Sequence, residues 1–356
     1  MDNWNDYLAS QGARHSPDDT SQTADFGSAL TAAQLSAGFV AVISDLGLIA
    51  VSGDDAVNFL HGQLTSDVQQ LAVDQARLAG YCSPKGRLQA TFLMWRNAES
   101  VFLQLPRELQ PALQKRLSMF VMRAKARLAD AGPLVVLGLG GASARAALGQ
   151  YFAELPGEPY TKVDAGLGTL LRVADAFGAP RYEWLTTPAV AHAVLPALRA
   201  ALALGGNQAW HLSSIHAGVP QVTIRTQEQF VPQMINFELL GGVNFKKGCY
   251  PGQEIVARSQ YLGKLKRRAV LATIDGAVAV AGDEVFASAD PDQPCGMVVN
   301  AAPNGAGGTD VLVEMKLAAL EAGPAGGAAG FIRLGAATGA TLALLAMPYP
   351  LDALAL

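Results

Sequence analysis

Apolar positions along the chain fall into two textures. Up to about residue 268 short extended runs alternate with helical spacings; beyond it only short β-rich runs separated by Gly, Pro and Asp turns remain. In the first part, Val40–Val51 is β-rich on both sides of a turn at Asp45 and Gly47. Asp54 and Asp55 then open a helix with Val57, Leu60 and Leu64 on its apolar face. Two extended runs within Gly80–Met94 flank Ser83-Pro84-Lys85-Gly86, whose Pro and Gly suit a tight turn, so a hairpin is expected with Lys85 and Arg87 at its tip. Leu109, Leu113, Leu117, Phe120 and Val121 follow helical spacing, which predicts an amphipathic helix from Arg107 to about Met122. A strand at Leu134–Leu139, a helix over Ala142–Tyr151, a strand pair at Leu167–Ala174 and Tyr182–Leu185, and a helix over Ala189–Leu204 complete this part.

The mixture of hairpins and helices predicts an α+β fold, not a doubly wound sheet. Gly138-Leu139-Gly140-Gly141 resembles a dinucleotide fingerprint, but Ser143 stands at the third glycine position and no parallel βαβ series surrounds it. It is read as a strand-to-helix turn. From Ala269 onward the runs Ala269–Ile274, Glu284–Ala287, Gly296–Val299, Val311–Met315, Gly326–Leu334 and Thr341–Leu345 predict a small antiparallel barrel, with Ala301–Gly308 and Glu321–Ala329 as its loops. The expected organisation is a mobile polar tail at 1–25, an α+β region at 26–268 and a barrel domain at 269–356.

Length and composition agree with this division. The 356 residues suffice for roughly two or three domains, and half are apolar with only 16% charged, which excludes disorder of the whole chain. No apolar run approaches the length of a membrane span, and Met1–Asp25 has no apolar stretch of the signal-peptide type, so a cytoplasmic protein is expected. The three cysteines, Cys82, Cys249 and Cys295, are scattered and form no metal-binding spacing, so no metal site is expected.

The formal net charge of −4 conceals an uneven distribution. Lys246–Arg268 holds seven basic residues against Glu254, Arg107–Arg127 holds six against Glu108, and the remainder carries 13 basic and 28 acidic residues. Brought together, the two segments would offer a polyanion such as RNA a positive face; kept apart, each is a solvated surface.

The second basic segment also carries the most chemistry: Asn244-Phe245-Lys246-Lys247-Gly248-Cys249-Tyr250-Pro251-Gly252-Gln253-Glu254-Ile255-Val256-Ala257-Arg258. Pro251 suits a first helical position and Glu254 the positive end of the dipole, so Cys249 is expected just ahead of a helix N-terminus. There, with Lys246 and Lys247 near in sequence, the thiolate would be favoured and the cysteine reactive; the alternative is a buried cysteine that packs as a small hydrophobe. Gly248 and Gly252 would let the backbone approach a ligand. His211 and His216 are read as structural histidines, and Cys82 and Cys295 as packing residues.

The string KKGCYPGQEIVAR closely resembles the K-G-C-Y-x-G-Q-E signature of the YgfZ family, folate-binding proteins involved in iron–sulfur cluster maintenance and tRNA modification. Supporting matches lie in order at Phe59–Val68 (FLHGQLTSDV), Ser83–Arg87 (SPKGR), His216–Val222 (HAGVPQV) and Phe230–Cys249, so the resemblance spans roughly Leu30 to Leu345. Through that family it extends to the aminomethyltransferase of the glycine cleavage system. The resemblance implies a three-lobed α+β body around a tetrahydrofolate pocket, with a C-terminal antiparallel barrel. It implies that the cofactor is tetrahydrofolate or a one-carbon-substituted form held near Cys249, with Lys246, Lys247, Gly248, Tyr250, Gly252, Gln253, Glu254 and Arg258 as neighbours in the signature.

Glu183 matches the region where folate-binding relatives place a carboxylate that receives the pterin N–H groups; the alternative is an exposed strand acid. Two departures stand out. Gln110 falls where the transferase has its catalytic aspartate, with Glu108 able to substitute only if the alignment slips, and His216 stands where relatives usually carry an acid. The implied function is an accessory protein for iron–sulfur cluster assembly or repair, with cluster enzymes or their assembly factors as partners, possible tRNA contact, and no membrane partner. A folate-dependent aminomethyl or one-carbon transferase and an RNA-binding module are the alternatives.

Overall fold

A computed structural model describes residues 2–17, 19–262, 265–321 and 332–351. Helix α1 (Asp2–Ser10) and the short hairpin β1 (Arg14–His15)/β2 (Thr23–Asp25) lead into α2 (Ala32–Ala37), β3 (Phe39–Ile43) and β4 (Leu46–Ser52). Next come α3 (Ala56–His61), the hairpin β5 (Ala76–Cys82)/β6 (Leu88–Arg96), β7 (Ser100–Pro106), α4 (Gln110–Met119) and β8 (Arg127–Asp130). Then follow β9 (Val135–Gly140), α5 (Ala144–Leu148), β10 (Lys162–Ala165), β11 (Gly168–Ala176), β12 (Ala179–Thr186), α6 (Pro188–Ala201), β13 (Ala203–Gly205), α7 (Asn207–His216) and α8 (Gln253–Tyr261). The last part comprises β14 (Arg267–Ile274), β15 (Glu284–Ala287), β16 (Asp290–Pro303), β17 (Thr309–Lys316), α9 (Leu317–Glu321), β18 (Ile332–Leu334) and β19 (Thr341–Leu345).

These elements make three lobes. One sheet has the order β10-β11-β12-β9-β3-β13, a second the order β5-β6-β7-β4-β8, and the last six strands close a barrel in the order β14-β17-β16-β15-β18-β19. All pairings are antiparallel except β13 with β3, where Ala203–Gly205 runs alongside Phe39–Ala41. Closure leaves the barrel no open edge, the usual solution for an antiparallel sheet of short strands.

The expected hairpin, barrel and mixed architecture are all present. The turn at Ser83–Arg87 is closed by the Gly86 amide donating to the Ser83 carbonyl at 2.9 Å, with Gly86 at φ 70°. Thr187 caps α6 by accepting from the Val190 amide, with Pro188 at its first turn.

Several expectations need correction. The described residues within 1–25 are not an unstructured tail: α1 buries Trp4 and Leu8 against the α6 side of the first sheet, and the Tyr7 and His192 rings meet tilted by 52° with centroids 4.2 Å apart. The predicted 107–122 helix begins with a 3₁₀ turn at Arg107–Leu109 and ends as α4 at Met119, leaving Phe120 exposed at 47%. The helix expected over 142–151 shrinks to α5, and the last residues of the one expected to Leu204 form the parallel strand β13 instead. Asp55 does not cap α3 with its side chain; Oδ2 accepts from the Lys125 amide. Of the expected strand Gly326–Leu334 only β18 falls among the described residues, and the loop expected at Glu321–Ala329 lies almost wholly outside them.

Candidate functional site

A cavity of about 300 Å³ opens where the three lobes meet. Phe92 and Leu93 of β6, Gln104 of β7, Arg181 and Glu183 of β12, and one face of α7 (Trp210, His211, Ser214, Ile215) form its walls; Ala279–Ala281 and Asn300 of the barrel complete them. Local sequence makes room for the α7 face. A Cβ on Gly138 would lie 2.4 Å from the Trp210 ring, so glycine at this position of β9 leaves room for the indole beside Glu183, which pairs with Gly138.

Arg181 and Glu183, two apart on a strand, point to the same side. Arg181 is 2% exposed. It donates to Ser213 Oγ (2.8 Å), Ser214 Oγ (3.0 Å) and the Ala174 carbonyl (2.9 Å), and its guanidinium lies 4.7 Å from the Trp210 ring centroid. Burial lowers its pKa to about 10, which leaves it charged at neutral pH.

Glu183 is 4% exposed, and its Oε2 has no hydrogen-bond partner. Desolvation pushes the carboxyl up to about 7, against the pull of the Gln104 amide and of Arg181. The Tyr160 hydroxyl, in the same cavity, also lacks a partner. A slot with an indole wall and a buried carboxyl whose Oε2 has no hydrogen-bond partner fits a flat heterocycle carrying adjacent N–H donors. The pterin of a folate has that shape and that donor edge.

The expected site residues divide between two places. Glu183 lines the cavity, whereas Lys246, Lys247, Gly248, Cys249, Tyr250, Gly252, Gln253, Glu254 and Arg258 do not. They lie apart from it, on the signature segment, which packs on Phe59–Val68 through Lys247 and on Ser83–Arg87 through Gly252. Tyr250-Pro251-Gly252-Gln253 is a type II turn, Pro at the second and Gly at the third position, closed by the Gln253 amide donating to the Tyr250 carbonyl at 3.2 Å.

Gly252, at φ 81°, packs directly on the hairpin turn: a Cβ there would lie 2.4 Å from the Ser83 carbonyl oxygen. The close approach allowed by Gly252 is thus to the Ser83–Arg87 backbone, and Pro251 lies ahead of α8, not at its first position. Lys247 is buried and donates to the carbonyls of His61 (2.5 Å), Leu64 (3.0 Å) and Gly248 (3.3 Å), with Nζ 4.9 Å from the Tyr250 ring centroid. It ties Phe59–Val68 to the signature loop, and burial lowers its pKa to about 8.

Cys249, three residues before the α8 N-cap, is the exposed cysteine of the three; Cys82 and Cys295 are buried, and burial pushes the Cys82 thiol up to about 12. Glu254 sits in the first turn of α8 as expected, and Glu254 and Arg258 are exposed.

The cationic segments are partly consumed internally. Arg268 pairs with buried Glu238, Arg267 with Glu314, Lys125 with Asp54 at 3.4 Å, and Arg116 donates to the Tyr81 hydroxyl at 3.3 Å. His211 and His216, read as structural, each face a carboxylate at 2.7 Å, Asp45 and Asp310 respectively. Sequence reasoning missed Arg181, Gln104, Trp210 and His211 as cavity residues. The one signal available was the i, i+1, i+4, i+5 spacing of Trp210, His211, Ser214 and Ile215 on a helix.

Compared with known proteins, the whole architecture is that of an aminomethyltransferase. Glycine cleavage system aminomethyltransferase T from Bartonella henselae superimposes with a TM-score of 0.75 at 19% identity, covering 96% of each chain. No family model matches. The tRNA-modifying protein YgfZ of Shigella sonnei is 35% identical over 225 residues, 63% of this chain and 68% of that protein, and YgfZ of Escherichia coli K12 gives the same figures. The chain belongs to the YgfZ family. Among the described residues no helix is long and apolar enough to cross a membrane.

Proposed function

We propose that this chain is a tetrahydrofolate-binding accessory protein of the cytoplasm that supports assembly or repair of iron–sulfur clusters, including those of tRNA-modifying enzymes, with Cys249 as its reactive group. The observation that carries the folate reading is the buried Glu183 carboxyl lining the cavity, whose Oε2 has no hydrogen-bond partner. Glu183 would receive the pterin N–H groups, Trp210 would cover a ring face, and Gln104 and Tyr160 would supply further polar contacts. Bound tetrahydrofolate would contribute a reduced ring able to carry a one-carbon unit. The tRNA-modifying name of the relatives and the exposure of Cys249 in the signature loop support the second half of the reading.

Aminomethyl transfer is less well supported. It needs a second carboxylate beside the reacting carbon, and Glu183 is the single acid among the described residues that line the cavity. Gln110, where that acid was sought, is buried off the cavity with Nε2 3.4 Å from the Leu48 carbonyl, and Glu108 accepts from the Ile224 amide at 2.8 Å. Anaerobic calorimetry with tetrahydrofolate tests the folate reading: micromolar binding is expected, lost in Glu183→Ala, and no binding to the unaltered protein overturns it. Cys249→Ala is expected to keep that affinity yet fail to restore cluster enzymes in a deletion strain. Full restoration would remove Cys249 from the proposal.

A further inference from the structure

The two basic segments of the sequence are joined by one short helix. Helix α3 has six residues and so is about 9 Å long. At its start the Lys125 amide donates to Asp55 Oδ2 at 2.7 Å, and the Lys125 carbonyl accepts from the Asp55 amide at 3.1 Å. At its end Lys247 donates to the His61 carbonyl. A second link runs through the core: Arg116 of α4 donates to the Tyr81 hydroxyl, Tyr81 bridges to Leu64, and the Leu64 carbonyl accepts from Lys247. The two segments therefore lie side by side.

Much of their charge is unspent. Lys115, Arg123, Arg127 and Lys246 are exposed and pair with no acid among the described residues, and no acid occurs between Glu108 and Asp130. Lys125 differs, held 3.4 Å from the exposed Asp54. Apolar surface stands beside these cations. Leu113 and Leu117 are buried and Val121 packs on the same core, but Phe120, expected on that buried face, is exposed, as is its neighbour Met122 at 86%. An exposed aromatic ring among unpaired cations suits a single nucleic-acid strand, whose phosphates meet the cations while a base stacks on the ring. An acidic polypeptide matches the charge but offers no flat group to cover the ring. The rest of the chain, with 13 basic and 28 acidic residues, repels a polyanion elsewhere.

We propose that the α4 loop and the signature segment, joined across α3, form a binding surface for single-stranded nucleic acid, with an unpaired base stacked on Phe120. The inference goes beyond the folate and cluster reading and does not depend on it. The probes are labelled oligouridylate and oligothymidylate of equal length, titrated by fluorescence anisotropy at several salt concentrations. With four cations engaged, affinity should fall about 50-fold between about 50 and 200 mM salt, and each of Lys115→Ala, Arg123→Ala, Arg127→Ala and Lys246→Ala should lower the logarithmic salt slope by about 0.7. Phe120→Ala should weaken binding by about 5- to 150-fold, the range for one stacked base, and leave the slope unchanged. Phe120→Tyr should restore it.

Asp54→Asn releases Lys125 and should strengthen binding by about fivefold at about 0.1 M salt, a gain that a folding defect cannot produce. Phe120→Ala should keep the affinity of the unaltered protein for tetrahydrofolate, because Phe120 does not line the cavity. These properties with either strand support the surface, and the tighter strand distinguishes RNA from DNA. Absent or salt-independent binding overturns it. So does an unchanged affinity in Phe120→Ala, or complete displacement of the strand by equimolar polyglutamate, either of which would leave a general anion surface. Preference for phosphatidylglycerol vesicles over both strands would reassign the face to a membrane and overturn it as well.

Discussion

A carboxyl group enclosed by a sheet and an indole has its pKa set by lost solvation before any ligand arrives. Burial raises Glu183 to about 7 from an ordinary 4.5. Between those values the folded chain keeps a proton that the unfolded chain has released. That contribution to stability is fully present below about pH 4.5 and is lost as pH rises through 7. Glu183→Gln, which cannot ionise, should therefore lack this decline, and urea unfolding from pH 4 to 8 should show the two profiles converging at the acid end. Ligand binding moves the same proton the other way. Two pterin donors need an ionised acceptor, so tetrahydrofolate should expel about half a proton per site at pH 7, read from calorimetry in buffers of different ionisation enthalpy. Zero release would mean that Glu183 is not the acceptor. Strand alternation around Tyr182–Leu185 allowed Glu183 either face of the sheet; what buries it is Trp210 and the β7 strand, contacts remote in sequence.

At the scale of elements, the recurrent motifs turn out to be parts of one joint. The type II turn before α8 could be read from Pro251 and Gly252, and the hairpin turn from Pro84 and Gly86. Their packing against each other could not, because no periodicity links positions so far apart. Gly252 meets the joint at its tightest point, where an added Cβ would find backbone, Ser83 O at 2.4 Å and Gly86 N at 2.7 Å, with no flexible side chain to yield. Gly132, at a similar φ of 85°, has nothing within 4 Å of the same position. Gly132→Ala should lose only the left-handed backbone term, of order 1–3 kcal/mol. Gly252→Ala should lose that and a further ~1–3 kcal/mol of overpacking, and thermal unfolding of the pair would isolate the second term. Equal losses would show that the joint gives way freely. A similar lesson applies to α1: Trp4 and Leu8 are four apart and share a helix face, yet nothing in 1–25 shows that α6 offers a surface to cover them.

At the scale of the molecule, the barrel was legible because short β-rich runs between turn residues need no distant partner to be recognised, whereas its role as a wall of the cavity depends on how it docks. Asn300 joins it to the body by accepting from the Gln221 amide and donating to the Gln221 carbonyl, each at 2.8 Å. Near this contact Asp310 of β17 faces His216 of α7 at 2.7 Å, both largely buried. His216, a departure from the family pattern, is thus matched by an acid from the barrel. Burial opposes ionisation of Asp310, but hydrogen bonds from His216, Thr273 and Asn304 outweigh it and hold the carboxyl below its ordinary 3.8. With a depressed pKa, its contribution is present above pH 3.8 and is lost as pH falls through the folded value. Asp310→Asn weakens the buried hydrogen bonds that the carboxylate accepts from His216, Thr273 and Asn304 and should cost about 1–3 kcal/mol, as leaving buried polar groups poorly paired does. Hydrogen exchange should then rise first in α7 and β17, ahead of the first sheet. Since Trp210 and His211 are carried on the same helix, tetrahydrofolate affinity should fall with docking even though Asp310 does not line the cavity. A variant destabilised to this extent with unchanged affinity would show that the body shapes the cavity without the barrel.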